Sequence, residues 1–94
     1  MTEKNKKSIW LDVRTLEEYS DGHIKGALHI PYDELAERHE ELGLKKEAHI
    51  KLYCRSGRRS DVGMKIMQRL GYENAVNEGG YEDLIAQGNQ SNQD

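Results

Sequence analysis

The sequence is poor in several residues that specialised folds depend on. Phenylalanine is absent, and the 94 residues include one cysteine, one proline and one tryptophan. A single cysteine cannot form an internal disulfide or supply the several thiolates of a structural zinc site. The four histidines (His23, His29, His39 and His49) show no metal-binding spacing. We therefore expect no metal, and one modest core built without phenylalanine.

Charge and hydropathy argue against two further classes of protein. The formal net charge of -3 disfavours a general nucleic-acid binder, because such proteins rely on a basic surface. No apolar run approaches the roughly 20 residues that cross a bilayer, so no membrane contact is expected. The charged start "MTEKNKKS" does not resemble a signal peptide. We expect a monomer that is cytoplasmic as the chain stands, or periplasmic if a leader has been removed.

Hydrophobic periodicity predicts strands that alternate with helices. Strands are expected at 8–13 and, most strongly, at 49–54, with short extended segments near 26–31 and 73–80. Since strands and helices alternate, the predicted fold class is α/β, a small parallel β-sheet flanked by helices on both faces. The predicted domain spans 8–87, between a flexible N-terminus at 1–7 and a disordered polar tail at 88–94.

The expected helices come from end signals and apolar stripes. Thr15 and Glu18 form a capping-box pattern for a short helix ending at Gly22. An amphipathic surface helix over 32–43 would present Leu35, Ala36 and Leu42. The third helix would begin at Ser60 as N-cap, end at Gly71 and carry an apolar stripe, and the last would occupy 81–88. The stripe of the third helix consists of Val62, Ile66, Met67 and Leu70.

The only cysteine, Cys54, lies between the strongest strand and the strongest helix, in "CRSGRRS". Ligands in α/β folds bind where strands end and helices begin. Gly57 permits a tight loop whose N–H groups turn inward, and the helix N-terminus adds partial positive charge. Arg55, Arg58 and Arg59 add full charges. These surroundings favour the thiolate, so we predict a reactive Cys54 with a lowered pKa, cradled by the amides of 55–59. The alternative is an unreactive cysteine at the edge of a core.

Three segments together resemble the rhodanese-like sulfurtransferase family. "CRSGRRS" is similar to its Cys-x-x-Gly-x-Arg-Ser loop, "LDVRTLEEYSDGHIKGALHIP" to its upstream motif, and "LGYENAVNEGGYEDL" to its closing Gly-Gly segment. The similarity runs from about Ile9 to Leu84, in the expected order. The single-domain layout is similar to stand-alone members of the phage shock protein E type, and the resemblance implies a three-layer α/β/α fold.

The resemblance also implies a chemistry. Cys54 would take a sulfane sulfur from a small anionic donor such as thiosulfate, hold it as a persulfide, and pass it to cyanide, an acceptor thiol or an acceptor protein. The implied substrate-binding residues are those of the loop, namely Arg55, Ser56, Gly57, Arg58, Arg59 and Ser60. No metal or organic cofactor is implied. Phosphatase relatives enclose five residues between Cys and Arg, whereas Cys54 and Arg59 enclose four, which favours sulfur. Ser56 stands where well-known thiosulfate-using members carry lysine, which leaves the preferred donor open.

Residues outside the loop are expected to have supporting or structural roles. Asp12 and Arg14 end the first strand and would support the site, as the matching aspartate does in the family, or form an ordinary strand-end ion pair. Glu17 and Glu18 are expected on the helix surface or as partners of Arg14. His23 is expected to be structural, and Tyr81 to pack near the pocket.

The alternatives left open are a protein-to-protein sulfur shuttle, a module that binds or senses anions or sulfide without turnover, and a cysteine phosphatase. The loop length disfavours the phosphatase. The intact cysteine speaks against an inactive domain.

Overall fold

The computed structural model of the protein describes residues 8–92. The N-terminal segment expected to be flexible, 1–7, and the last two residues of the expected tail lie outside the described residues. The strands are β1 (Ser8–Asp12), β2 (His23–Ile24), β3 (Leu28–His29), β4 (His49–Cys54), β5 (Ala75–Gly80) and β6 (Ser91–Asn92). The α-helices are α1 (Leu16–Asp21), α2 (Leu35–Arg38), α3 (Arg58–Arg69) and α4 (Tyr81–Ala86).

A four-stranded parallel sheet in the order β3-β1-β4-β5 forms the centre of the fold. Side chains alternate across this sheet, as the pleat of a strand requires. Leu52 of β4 lies in one core, with Leu11, Leu35 and Met67, while its neighbour Tyr53 lies in the other, with Leu84. Helices α2 and α3 cover the first face, and α1 and α4 the second. The predicted three-layer α/β/α architecture is confirmed.

Two predicted helices differ in detail from the sequence pattern. The expected helix over 32–43 is divided into a 3₁₀ turn at Tyr32–Glu34, the single turn of α2 and a second 3₁₀ turn at His39–Leu42. Only Leu35 of its apolar residues is fully buried, and Ala36 is exposed, so packing holds too little of the segment to keep it regular. The apolar stripe predicted for α3 is only partly buried, since Met67 is buried but Val62 is 42% exposed.

The C-terminal segment also differs from the sequence prediction. A disordered tail was predicted from 88 onward, yet Ser91–Asn92 pairs antiparallel with His23–Ile24. The amide of Lys25 donates a 2.8 Å hydrogen bond to the carbonyl of Gln90. Backbone pairing needs no apolar side chain, which is why a polar composition concealed this strand. Among the helices described between residues 8 and 92, none is long and apolar enough to cross a membrane.

Candidate active site

The thiol of Cys54 lies at the carboxyl end of β4, in the middle of the parallel sheet. Alternation along β4 points it into the same core as Leu52, and the residue has 0% exposed surface. It is therefore held between an apolar floor and the loop that follows it. A buried sulfur of this kind depends on the loop for every polar contact.

The loop turns sharply and enters α3 earlier than the sequence predicted. Gly57 has φ 94° and is the N-cap of the helix, which begins at Arg58. The prediction that Ser60 is the N-cap of this helix is wrong, because Ser60 lies inside the first turn and is fully buried. Only glycine adopts this left-handed conformation without strain, so the tight turn at Gly57 brings the first turn of α3 over the sulfur.

Backbone amides and one hydroxyl lie within hydrogen-bonding distance of Cys54 Sγ. The Gly57 amide lies 3.0 Å from it, and the amide and hydroxyl of Ser60 both lie 3.4 Å from it. Burial by itself raises the pKa of the Cys54 thiol, but the hydrogen bonds from Ser60, Ser56 and Gly57 outweigh it, and the pKa is lowered. The direction agrees with the prediction. The Ser60 amide lies beyond the predicted cradle of 55–59.

Among the hydrogen bonds to Cys54 Sγ in the described part of the chain, none comes from the three loop arginines. Arg59 forms a two-pronged ion pair with Glu18 at 2.8 and 3.0 Å, while Arg55 and Arg58 are exposed. The alternative that Glu18 partners Arg14 is therefore replaced by Glu18–Arg59. The charge of Arg59 is largely balanced by that of Glu18. Hydrogen bonds from backbone amides and from Ser60 are therefore the main interactions that stabilise a thiolate here.

Glu18 connects α1 to the loop through its ion pair with Arg59, and this ion pair should make the stability of the protein fall at acid pH. Its carboxylate accepts both Arg59 bonds and caps α1 through the Thr15 amide at 3.0 Å. The hydrogen bonds from Arg59 lower the pKa of Glu18 from 4.5 to about 2. A depressed pKa contributes stability above the unfolded-state value, and this stability is lost as pH falls from 4.5 towards 2.

We expect E18Q to lack this component of the pH dependence. Urea unfolding between pH 6 and pH 2 would measure it, with E17Q as the matched control, since Glu17 is exposed on the same helix. Parallel curves for E18Q and the unchanged protein would contradict the prediction.

Asp12 and Arg14 form a buried ion pair at the end of β1, beside the site. The carboxylate of Asp12 accepts the Arg14 amide at 2.9 Å and its guanidinium at 2.6 to 3.0 Å. Arg14 also donates to the Gly22 carbonyl at 2.7 Å and lies 4.5 Å from the centre of the Tyr81 ring. The expected ion pair is present, and its contribution to activity stays a prediction.

Residues of the loop line two of the clefts in the described part of the chain. One, of about 240 Å³, is lined by Arg14, Glu18, Asp21, Gly22, Arg55, Tyr81 and Glu82. The other, of about 430 Å³, is lined by Tyr32, Ser56, Arg58, Arg59 and Val62. Tyr81, which was expected near the active-site pocket, lines the first of these clefts. Within residues 8–92, no three His, Cys, Asp or Glu side chains are grouped so that they could hold a metal ion.

His23 is placed as a structural residue would be. It is 2% exposed, its Nδ1 lies 2.7 Å from the Tyr19 carbonyl, and its ring stacks on that of Tyr19. The hydrogen bonds to Cys54 Sγ come from the loop residue Gly57 and from Ser60. The geometry favours the expectation that His23 is structural.

Two residues at this site were not predicted from the sequence. Asn77 of β5 contacts both Gly57 and Ser60 through its side-chain amide. Gly80 lies against the loop, where an added Cβ would collide with the carbonyl oxygen of Arg55. The Gly79-Gly80 pair was a visible indication of close backbone approach, but nothing local marks Asn77, because its partners are 17 and 20 residues away.

The fold and the site define the class of protein, an α/β domain built around one cysteine in a strand-to-helix loop. The chain belongs to the rhodanese-like domain family, whose model matches residues 1–87. It is 37% identical to the thiosulfate sulfurtransferase PspE of Escherichia coli over 75 residues, covering 80% of this chain and 72% of that protein.

Two further relatives extend the comparison. The chain is 42% identical over 67 residues to YrkF of Bacillus subtilis, named as a candidate sulfur carrier protein, covering 71% of this chain and 35% of that protein. A solved structure of a rhodanese with anions from E. coli superposes with a TM-score of 0.84 at 32% identity, covering 94% of this chain and 100% of that one. The family thus includes proteins named for sulfur transfer and for sulfur carriage.

Proposed function

We propose that the protein is a sulfurtransferase that carries a sulfane sulfur as a persulfide on Cys54. The observation that carries this proposal is the convergence of the Gly57 and Ser60 amides on one buried sulfur, with the Ser60 hydroxyl 3.4 Å from the same atom. Donors so placed favour the thiolate, which is the nucleophilic form of cysteine. They also suit the negative charge that a persulfide retains after the first step.

The proposed reaction has two balanced steps. The Cys54 thiolate attacks the outer sulfur of thiosulfate, a new S–S bond forms, and sulfite leaves with the electron pair of the broken S–S bond. An acceptor thiolate or cyanide then attacks the outer sulfur of the persulfide, and the Cys54 thiolate is regenerated. In each step a nucleophile attacks a sulfur atom and an anion leaves, so the chain's own residues need only stabilise anionic sulfur on Cys54.

The surface of the loop suits a small anionic donor. Arg55 and Arg58 are exposed, and no carboxylate partner of either occurs within the part of the chain that the structure describes. Such cations attract anions towards the loop. Because Cys54 has no exposed surface, the loop must open before the donor's outer sulfur can reach the thiolate. PspE, a relative, is named as a thiosulfate sulfurtransferase.

A second candidate function is sulfur carriage between proteins. With one cysteine in the chain, the persulfide has no second thiol to attack it, so the sulfur must leave to an external acceptor. The name of the relative YrkF refers to carriage of this kind. This candidate uses the same Cys54 persulfide and differs only in its acceptor, which would be a protein thiol.

Intact-mass spectrometry tests the proposal directly. After incubation with thiosulfate, the chain is expected to gain the mass of one sulfur atom, and C54S, which has no thiol, is expected to gain nothing. Cyanide should then remove the added mass and form one equivalent of thiocyanate.

Two results would contradict the proposal. A gain of mass in C54S would exclude Cys54 as the carrier. No gain with either thiosulfate or a small-molecule persulfide, in a chain whose Cys54 still reacts with iodoacetamide, would favour a module that binds or senses anions without turnover.

A further inference from the structure

Asn77 joins the two residues that donate hydrogen bonds to the Cys54 sulfur. Its Nδ2 donates to the Gly57 carbonyl at 2.9 Å, and its Oδ1 accepts the Ser60 hydroxyl at 2.6 Å. Oδ1 also accepts the amide of Gly79 at 3.0 Å. The side chain therefore holds the loop and the first turn of α3 against β5.

These contacts determine which way the Asn77 amide is turned. Oδ1 faces two donors and Nδ2 faces a carbonyl, so a flipped amide would set its NH₂ group against the Gly79 N–H and its oxygen against the Gly57 carbonyl. One orientation satisfies all three bonds. The clamp is thus a specific arrangement of donors and acceptors.

An irregularity in β5 places Asn77 at this position. In the register between β4 and β5, Leu52 lies opposite Asn77 but Tyr53 lies opposite Gly79, so Glu78 is an extra residue. Such a bulge redirects the neighbouring side chains of its strand. The bond from Gly79 back to Asn77 Oδ1 spans this bulge and stabilises the side chain that faces the loop.

We propose that Asn77 is a positioning residue for the nucleophile, acting through Gly57 and Ser60 to keep their donors directed at the Cys54 sulfur. This inference rests on the proposed function, because it gives the thiolate its role. It adds a residue from a different strand, outside the cysteine loop, to the machinery that prepares the sulfur.

The hydroxyl of Ser60 has one proton, which decides how the clamp works. Asn77 Oδ1 lies 2.6 Å from the hydroxyl oxygen, while Cys54 Sγ lies 3.4 Å from it, so the shorter bond takes the proton. The sulfur then depends mainly on the amides of Ser56, Gly57 and Ser60, and Asn77 anchors two of these residues, Gly57 and Ser60. Loss of the anchor should therefore weaken the thiolate, even though it frees the hydroxyl.

The test compares N77A with N74A, in the absence of any sulfur donor. Asn74 is the matched control, since it precedes β5 and its side chain bonds only the Glu47 carbonyl, away from the loop. Cys54 is the only thiol in the chain, so the rate of alkylation by iodoacetamide against pH reports on it alone. We expect the pH midpoint of N77A to rise and its rate at neutral pH to fall about tenfold, while N74A matches the unchanged protein.

An unchanged midpoint in N77A would overturn the proposal. So would a lowered midpoint, because it would mean that Asn77 withholds the Ser60 hydroxyl from the sulfur. A second variant, N77D, keeps the shape and the acceptor, loses the donor to Gly57 and adds a negative charge. Its midpoint is expected to rise above that of the unchanged protein, and if N77A does not fold, an unchanged midpoint in N77D would overturn the proposal.

This experiment separates the two proposals. If thiosulfate adds no sulfur to the unchanged protein, the proposed function fails, yet the alkylation profile still shows whether Asn77 prepares the thiolate. If sulfur transfer occurs and the profile of N77A is unchanged, only the role of Asn77 is lost.

Discussion

Sulfur transfer by G80A is expected to fall by about two orders of magnitude, because the added methyl group has no room. A Cβ at position 80 would collide with the carbonyl oxygen of Arg55 and lie 3.4 Å from the Cα of Ser56. Both are backbone atoms of the active-site loop, which cannot give way without moving the donors around Cys54. A displacement of about 1 Å in a catalytic group can cost roughly 100-fold in rate.

The backbone angles of Gly80 make this a test of space alone. With φ -102° and ψ 147°, any residue could adopt its conformation, so the substitution adds no backbone strain. Overpacking of this kind costs about 1–3 kcal/mol of stability. Thiocyanate formation measures the activity, and urea unfolding the stability.

G26A is the control for loss of a glycine, since nothing lies within 4 Å of a Cβ there. Its φ of +84° adds backbone strain, but it lies outside the loop, so its transfer rate should stay within a few-fold of that of the unchanged protein. Near-normal transfer by G80A would mean that the loop tolerates displacement, and the argument from close approach would fail.

R14M is expected to lose about 3–5 kcal/mol of stability, because it leaves the carboxylate of Asp12 buried without its partner. Asp12 is 0% exposed, and Arg14 supplies three side-chain hydrogen bonds to it. Domains of this size have a total stability of roughly 5–14 kcal/mol, so the loss would be a large fraction of it. Chemical unfolding would measure the change.

R38M is the matched control for the loss of an arginine. Arg38 pairs with Glu34 and Glu41, but these side chains are 38 to 59% exposed, so solvent screens the pairs and they contribute little to stability. The double variant D12N/R14M should recover much of the loss, since no buried charge is left unpaired. If R14M is no less stable than R38M, or the double variant recovers nothing, the buried charge is not the cause.

The sequence predicted the main strands and the position of the cysteine well, because these depend on local patterns. The run at 49–54 has the same bounds as β4, and the capping box of Thr15 and Glu18 is present. Apolar alternation and side-chain capping act between near neighbours, so they can be recognised in the order of residues. The same reasoning failed at Ser60, because its hydroxyl bonds Asn77, 17 residues away, instead of a helix amide.

The chemistry of the site likewise depends partly on local sequence patterns and partly on tertiary contacts. One cysteine followed by Gly57 and the start of a helix was enough, by sequence alone, to predict a nucleophile held by backbone amides, and the linked motifs were enough to predict the family. Tertiary structure alone decided which charges face that sulfur. Folding pairs Arg59 with Glu18, 41 residues earlier, and leaves Arg55 and Arg58 in solvent. It also brings Asn77 and Gly80 against the loop. The contacts of Asn77 and Gly80 with the loop arise from the parallel pairing of β4 with β5. The register of that pairing is a property of the whole sheet, and no local sequence pattern encodes it.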